Sequence, residues 1–395
     1  MTGMGIVCAL GANGRSVTEA LREGRNGIAP VRGFDANALR SQHAGEVRGE
    51  IYGRSAGLRR TPDRGMLLAC TATAEAMEIA SPHITQADRA GVVLGTCSGG
   101  FLSASGYHRS LLQGRARRPS ALLEVPHHTP VAHLARSYGL QGPAFAVSNA
   151  CASGAVAIAI AADLVLSGRA DLMIAGGYDA LNQLNLAGFG SLRNTSPTNC
   201  IRPFDRSRDG LLLGEGAGII ILESEQNAES RGAPILGRVR GWGTTSDDYH
   251  FTAPDPSGTG AALAMSRALA MASVSPTEID YVNAHGTGTV HNDRMEVQAL
   301  LRVFGPRSRS LPMSSTKSML GHTLGAAGAI EVVAALLALR SGFLPPTINF
   351  REPDPRCDID CVPNTSRPAT VQHFISNSFG FGGSNCSLLI QVVPP

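Results

Sequence analysis

Short apolar runs, separated by helix-like segments, recur along this chain. Four of the runs read as buried strands: GIVCAL (5–10), AGVVLGT (90–96), FAVSNA (145–150) and DLMIAGG (171–177). The segments SVTEALREG (16–24) and ASGAVAIAIAADLVLSG (152–168) read as helices. Uninterrupted apolar strands that alternate with helices are typical of parallel sheets covered on both faces. The pattern therefore predicts an α/β fold.

The second half of the chain repeats features of the first. SGAVAIAIAADLVLSG (153–168) and AGAIEVVAALLALRSG (327–342) share glycine, alanine, a β-branched residue and a final Ser-Gly at one constant offset. DGLLLGEGAGIIILES (209–224) and SNSFGFGGSNCSLLIQV (376–392) each read as strand, glycine turn and strand. Because both pairs occur in the same order, we predict a duplication with a boundary in the loop SRGAPI (230–235). The N-terminal half would comprise residues 1–233 and the C-terminal half residues 234–395.

Equivalent helices of two such halves would begin near a shared axis, so that residues just before each helix converge. Cys151 precedes the first helix, and KSMLGHTLG (317–325) precedes the second. Free N–H groups and the positive end of the helix dipole lower the pKa of a thiol, so one reading of Cys151 is a thiolate nucleophile. The other reading stays open, because free cysteine is among the most buried residue types.

Two histidines add to this candidate site. YVNAHGTGT (281–289) predicts a strand that ends in a Gly/Thr-rich turn, which places His285 where ligands of open α/β sheets bind. His322 lies in a glycine-rich loop before a helix. A single histidine in such a position is more often structural, but two at equivalent strand ends beside a candidate nucleophile favour a site. Lys317, nearby in sequence, is the only lysine among the 34 basic residues.

Composition and charge exclude several classes of function. Apolar residues make up 43% and charged residues 16% of the 395 residues, which is typical of a globular protein with a large interior. A net charge of +3 is too small to indicate nucleic-acid binding. The densest basic cluster, RARRPS (115–120), is interpreted as a solvated loop, with docking of an acidic partner as the alternative. No apolar run reaches the ~20 residues of a membrane span, so no membrane association is expected.

The cysteines indicate a reducing compartment rather than a disulfide framework. Eight cysteines are scattered along the chain and no secretory leader is evident, so we expect reduced thiols in the cytoplasm. Cys357 and Cys361 are the only close pair, and no second pair or histidine has zinc-like spacing, so no metal site is expected. The phosphate-binding patterns GxxxxGK[ST] and strand-linked GxGxxG are also missing.

Four motifs, in order, carry a resemblance to a known family: SNACASG (148–154), NAHGTGT (283–289), TKSMLGHTLGAAGAIE (316–331) and SNSFGFGGSN (376–385). The chain resembles β-ketoacyl-[acyl-carrier-protein] synthases of the elongating, type II class over essentially its whole length. The resemblance implies a thiolase-like fold, with two duplicated αβ halves in a five-layered αβαβα arrangement. It also implies acyl carrier protein as partner, a homodimer or a heterodimer with a related ketosynthase, and neither cofactor nor metal.

The resemblance further implies roles for individual residues. Cys151 would be the acyl-accepting nucleophile, and His285 and His322 the two catalytic imidazoles. Lys317 would form an ion pair with Glu331. The remaining matches are supporting residues: Thr287 and Thr289 near the malonyl carboxylate, Phe381 as the gate of the glycine loop, and Phe189 as its partner across the acyl channel.

The reaction implied is a decarboxylative Claisen condensation. An acyl group on Cys151 would react with malonyl-acyl carrier protein to give 3-oxoacyl-acyl carrier protein and CO₂, in fatty-acid or polyketide and polyene elongation. The alternative is a non-catalytic partner subunit that determines chain length in a ketosynthase heterodimer, although such subunits lack the nucleophilic cysteine. Val290 and His291 depart from the commonest motif and leave the acyl substrate open. A tunnel for medium or long chains is our hypothesis.

Overall fold

The structure, a computed structural model, describes residues 1–49, 51, 62–115 and 119–395. Residues 116–118 of the basic cluster RARRPS lie outside this part of the chain. The strands are, in chain order, β1 Gly3–Cys8, β2 Ala29–Pro30, β3 His43–Ala44, β4 Ala90–Gly95, β5 Ala144–Val147, β6 Leu172–Asp179, β7 Gly216–Glu223, β8 Gly237–Ser246, β9 Tyr281–Asn283, β10 Met313–Ser314, β11 Phe343–Leu344, β12 Arg367–Pro368, β13 His373–Gly380 and β14 Ser384–Val392.

The α-helices alternate with these strands. They are α1 Gly14–Glu23, α2 Arg64–Ala80, α3 Phe101–Leu112, α4 Thr129–Tyr138, α5 Ser153–Leu166, α6 Gln183–Ser191, α7 Glu225–Ser230, α8 Thr259–Ala272, α9 Val290–Phe304, α10 Lys317–Leu320 and α11 Ala327–Arg340. Among the described helices, none combines the length and the hydropathy that crossing a membrane requires.

Two five-stranded sheets in the described part of the chain have the same topology. The first has the order β5-β4-β6-β7-β1 and the second the order β10-β9-β13-β14-β8. In each sheet the first three strands are parallel, and the last two pairings are antiparallel. Matching strand order and direction in the two sheets is the structural signature of a duplicated unit.

The predicted parallel pairing holds for β4, β5 and β6, but β7 runs antiparallel to both β6 and β1. The sequence of β7, GAGIIILE, is nevertheless apolar almost throughout and buried. Helices α2 and α11 pack against this strand, so both of its faces need apolar side chains whatever its direction. A continuous apolar run therefore indicates that both faces of a strand are covered. It does not indicate whether the strand is parallel or antiparallel to its neighbours.

One of the two predicted hairpins forms and the other does not. Residues 376–392 contain most of β13 and all of β14, which pair antiparallel across a short turn. In 209–224 only β7 is a strand, because the residues before it pair with a loop of the second half. The backbone N–H of His322 donates to the carbonyl of Leu212 at 2.7 Å, and Leu213 forms an isolated bridge with His322.

The two repeated helices, α5 and α11, lie against each other between the sheets. Small residues allow this close approach: a Cβ added at Gly154 would lie 3.0 Å from the Cβ of Ala329, and one at Gly328 would lie 2.8 Å from that of Ala155. Helices α2 and α4 cover the outer face of the first sheet, and α8 covers the second. The result is five αβαβα layers, in which the helices that follow the two candidate motifs begin side by side.

Candidate active site

Cys151 lies in a strained turn directly before α5. Ala150 has a φ of 47°, in the left-handed region that residues with a side chain rarely adopt. The hydroxyl of Ser153 fixes this turn, since it accepts from the backbone N–H of Asn149 at 2.8 Å and donates to the carbonyl of Ala150 at 2.6 Å. The thiol is thus held at the helix N-terminus, as the sequence predicts.

The electrostatic setting of Cys151 differs from the expectation of a lowered thiol pKa. The side chain is 6% exposed, and this burial raises the pKa of the Cys151 thiol to about 12. The positive charge of Lys317 and a backbone N–H from Phe381 act in the opposite direction but do not offset burial. The sequence indicates the helix N-terminus but not the depth at which the thiol lies, so the predicted lowering is wrong.

His322 is held in one orientation by its own loop. Its Nδ1 accepts from the backbone N–H of Leu324 at 3.1 Å, and Leu324 takes a left-handed φ of 54°. Because Nδ1 is the acceptor, the proton of the neutral ring is on Nε2. His322 therefore presents an N–H donor from its other edge.

His285 follows β9, and the side chain of Glu296 on α9 holds its backbone. The carboxylate accepts from the N–H groups of His285 and Gly286 at 2.9 and 2.8 Å. Nζ of Lys317 lies 3.3 Å from Nδ1 of His285, and because an ammonium can only donate, this nitrogen is again the acceptor. His285 therefore also carries its proton on Nε2.

The two imidazoles are neutral neighbours. Their ring centroids lie 5.4 Å apart in an edge-to-face arrangement. Burial lowers the pKa of His285 and of His322 well below the ordinary value of 6.5, and the charge of Lys317 acts in the same direction. At neutral pH the site thus offers two uncharged N–H donors.

The predicted ion pair of Lys317 and Glu331 is present. Both side chains are almost completely buried, and the ammonium donates to the glutamate carboxylate. Burial raises the pKa of Glu331 to about 7, while the charge of Lys317 lowers it. Lys317 therefore contacts both Glu331 and His285, and it connects α11 to the strand end that carries the imidazole.

The four residues that the resemblance gives as supporting residues form two pairs. The hydroxyls of Thr287 and Thr289 are 2.9 Å apart. The ring of Phe381 stacks on that of Phe189 with centroids 5.3 Å apart and an interplanar angle of 20°. Phe381 belongs to the turn between β13 and β14, and Phe189 to α6, so the stack joins the second half of the chain to the first.

One cavity of about 90 Å³ brings the candidate residues together. Cys151, His285 and His322 line it, as do the two threonines and both phenylalanines. Lys317 and Glu331 are not among its lining residues and lie behind the imidazoles. Across the described residues, no cluster of three or more His, Cys, Asp or Glu side chains has an arrangement suited to a metal ion.

Two carboxylates that position the site were missed in the sequence. Asp179, at the end of β6, is fully buried and accepts from Cys97, Ser98 and Gly325. Glu296 holds the turn of His285, and burial raises the pKa of its carboxyl to about 7. Glu296 lies between Met295 and Val297 on a helix with a buried apolar face, and an acidic side chain in that setting is a signal that could have been recognised.

Comparison with known proteins agrees with this geometry. Two family models match, described as "Beta-ketoacyl synthase, N-terminal domain" over residues 1–228 and "Beta-ketoacyl synthase, C-terminal domain" over residues 236–351. Nodulation protein E of a Rhizobium species is 40% identical over 401 residues, which cover 100% of this chain and 98% of the relative. The 3-oxoacyl-[acyl-carrier-protein] synthase 2 of a Synechocystis species is 40% identical over 408 residues, covering 99% and 97%.

A solved structure described as "The ishigamide ketosynthase/chain length factor" has a TM-score of 0.93 and 34% sequence identity, and the match covers 100% of this chain and 98% of that one. This similarity confirms the predicted fold, and the curated relatives confirm the resemblance on which the prediction was based. The chain belongs to the β-ketoacyl synthase family.

Proposed function

We propose that this chain is an acyltransferase that condenses an acyl group with malonyl-acyl carrier protein. The products are 3-oxoacyl-acyl carrier protein and CO₂, in fatty-acid or polyketide and polyene elongation. The observation that carries the proposal is that a buried thiol and two neutral imidazoles line one cavity. Each imidazole accepts a hydrogen bond at Nδ1, so that its proton is on Nε2.

In the first half-reaction, Cys151 is the nucleophile. Its sulfur attacks the thioester carbonyl of the acyl carrier protein, the bond to the carrier sulfur breaks, and the proton of the thiol passes to the departing carrier thiolate. The backbone N–H groups of Cys151 and Phe381 stabilise the oxyanion that forms. The Phe381 and Phe189 stack acts as the gate of the acyl channel.

In the second half-reaction, His285 and His322 stabilise an enolate. Loss of CO₂ from the malonyl group leaves an electron pair that is delocalised on to the thioester oxygen, and the two Nε2–H groups donate to it. Donors of this kind each contribute ~3–4 kcal/mol in a dry site. The enolate carbon then attacks the acyl-enzyme carbonyl, the carbon–sulfur bond breaks, and Cys151 leaves as a thiolate that takes up a proton from solvent. Thr287 and Thr289 bind the malonyl carboxylate, and Lys317 with Glu331 fixes the orientation and charge of His285.

The protein would act as a dimer with acyl carrier protein as its substrate-bearing partner. β5 is an edge strand that pairs only with β4 in the described chain, and Leu112 and Leu123 are 76% and 61% exposed. Unpaired strand edges and exposed leucines suit a subunit interface.

We propose the division into halves at residues 233 and 234, between the last strand of the first sheet and the first strand of the second. Eight free thiols support a cytoplasmic location.

A non-catalytic chain-length subunit is the second candidate, because a solved neighbour is described as a ketosynthase with its chain length factor. The buried cysteine with both imidazoles favours the catalytic function. Mass spectrometry of the protein after incubation with a panel of acyl-acyl carrier proteins separates the two. We expect an acyl adduct on Cys151 that is lost in Cys151→Ala, and the largest yield with medium or long chains. An unmodified cysteine with every carrier would contradict the catalytic function.

A further inference from the structure

A second cavity lies at the end of α5 that is remote from Cys151. Its volume is about 610 Å³, and it is formed by the last turn of α5, the end of β7, the strand β8 and the helix α8. It therefore lies at the junction of the two halves. Cavities of 300–1,000 Å³ at such junctions are typical of small-molecule sites, and the proposed condensation does not use this one.

Apolar side chains form one part of the wall of this cavity, and polar and charged side chains form the rest. Val165, Leu222, Val239, Trp242 and Met271 contribute to the apolar part. Trp242 is the only tryptophan in the chain and is half-buried. Leu166 at the rim is 71% exposed. An apolar body of a ligand would remove these side chains from water.

An irregularity in β8 adds a charged residue to the apolar wall. Gly241 pairs with Leu389 and Val239 pairs with Ile390, so that Arg240 is an extra residue without a partner in β14. In a regular strand, Val239 and Arg240 would point to opposite faces. The bulge redirects the strand, and both side chains line the cavity.

Arg240 is a cation of the cavity wall for which the described residues provide no ion pair within hydrogen-bond distance. Glu225 pairs with Arg238 at 2.5 Å, and Glu223 pairs with Arg231 at 2.5 Å. Arg240 donates only to the neutral side-chain oxygen of Gln391, at 3.2 Å. Of the described side chains that line this cavity, Arg240 is thus the positive charge without a carboxylate in hydrogen-bond contact, and Glu225 interacts with it only at longer range.

We propose that this cavity binds a single-chain amphiphile with a carboxylate head, of the fatty-acid class. The apolar walls hold the hydrocarbon chain, and Arg240 binds the carboxylate. The site is separate from the acyl channel and depends on neither Cys151 nor the two catalytic imidazoles.

Trp242 provides a local probe of binding. Dodecanoate, kept below its micelle-forming concentration, is titrated into the full-length protein while tryptophan emission is recorded, and the stoichiometry is measured by equilibrium dialysis with labelled dodecanoate. Dodecyltrimethylammonium and dodecanol are titrated in parallel. We expect a saturable change with dodecanoate, a weaker one with the alcohol and none with the cation. The same change is expected after Cys151 has been alkylated with iodoacetamide.

Three variants test the assignment of groups. Arg240→Gln should weaken the binding of dodecanoate about fivefold, which is the typical effect of losing a partly exposed ion pair. It should leave the affinity for dodecanol unchanged. Val165→Phe should weaken the binding of both ligands, because the larger ring narrows the cavity. Arg267→Gln, an exposed arginine of α8 outside the cavity, is the matched control and should bind as the unaltered protein does. The proposal is overturned by a response that does not saturate, by equal responses to anion and cation, or by unchanged affinity in Arg240→Gln.

Discussion

At Lys317, the shape and the charge of one side chain are both constrained. The ammonium is fully buried and lies between the carboxylate of Glu331 and Nδ1 of His285. A guanidinium is longer, planar and has donors in a fixed fork. It would not reach the same two acceptors from the same backbone position. The only lysine in the chain thus occupies a place that arginine does not fit.

Lys317→Arg should lower the rate of malonyl-acyl carrier protein decarboxylation about 100-fold, because displacement of His285 by ~1 Å is enough for such a loss. The measurement is CO₂ release under saturating carrier, together with the free energy of unfolding. Lys317→Met, which keeps the length but removes the charge, should also lose activity. Normal turnover in Lys317→Arg would show that an ammonium is not required.

The buried imidazoles make stability depend on pH. Their pKa values are lowered by burial, so the unfolded chain takes up protons first as the pH falls through 6.5. Each histidine therefore contributes stability that is complete above pH 6.5 and is lost below it. Glu296 and Glu331 act in the opposite direction, because burial raises the pKa of each to about 7. A single-site comparison is needed to separate the two effects.

His322→Asn provides this comparison. The difference in free energy of unfolding between the unaltered protein and His322→Asn should shrink by about 1.4 kcal/mol from pH 7.5 to pH 5.5, which is the linkage value for one proton over one pH unit. Denaturant titrations at four pH values would measure it. The same comparison for the exposed His83, with His83→Asn, is the control for a histidine outside the site. A constant difference for His322 would mean that the ring is not neutral in the folded state.

At the scale of elements, helices α5 and α11 were predictable and strand direction was not. Both helices are apolar with small residues at matching positions, because each is buried between two sheets. The direction of β7 depends on the path of the chain between β6 and β7, where residues 212–214 pair with His322 rather than with β7. This pairing is a contact between distant segments, and no local pattern in the sequence encodes it.

The close contact of α5 and α11 gives a test at this scale. Gly154→Ala should destabilise the protein by ~1–3 kcal/mol, because the new methyl would lie 2.9 Å from the carbonyl of Gly325 and 3.0 Å from Ala329. Gly188→Ala is the matched control in a helix, since no atom lies within 4 Å of a Cβ added there. It should stabilise by ~0.5–1 kcal/mol through helix propensity. Chemical denaturation measures both, and equal effects of the two substitutions would argue against tight packing.

At the scale of the whole molecule, the site exists because two halves share it. Cys151 comes from the first half, and His285, His322 and Lys317 come from the second. The internal repeat, visible in the sequence, was enough to predict this convergence. The carboxylate of Asp179 was not predictable, because its donors Cys97 and Ser98 lie about 80 residues before it and Gly325 lies in the other half.

Asp179 connects the halves directly behind the site. Its two oxygens accept from the hydroxyl of Thr96 and from the N–H groups of Cys97, Ser98 and Gly325, at 2.7 to 2.8 Å. Gly325 lies three residues after His322, in the turn that orients the imidazole. The buried carboxylate is thus stabilised by donors from both halves, without a cationic partner among them.

Asp179→Asn should therefore destabilise the protein and slow the reaction together. The amide replaces one acceptor oxygen by an NH₂ group that faces N–H donors, which leaves two or more buried donors unsatisfied at a cost of ~2–4 kcal/mol. The His322 turn would shift, and decarboxylation should fall at least about tenfold. Thermal unfolding and CO₂ release measure the two effects. Asp163→Asn, on the exposed side of α5, should change neither. If Asp179→Asn lost stability but kept full decarboxylation, the carboxylate would hold the halves together without positioning His322.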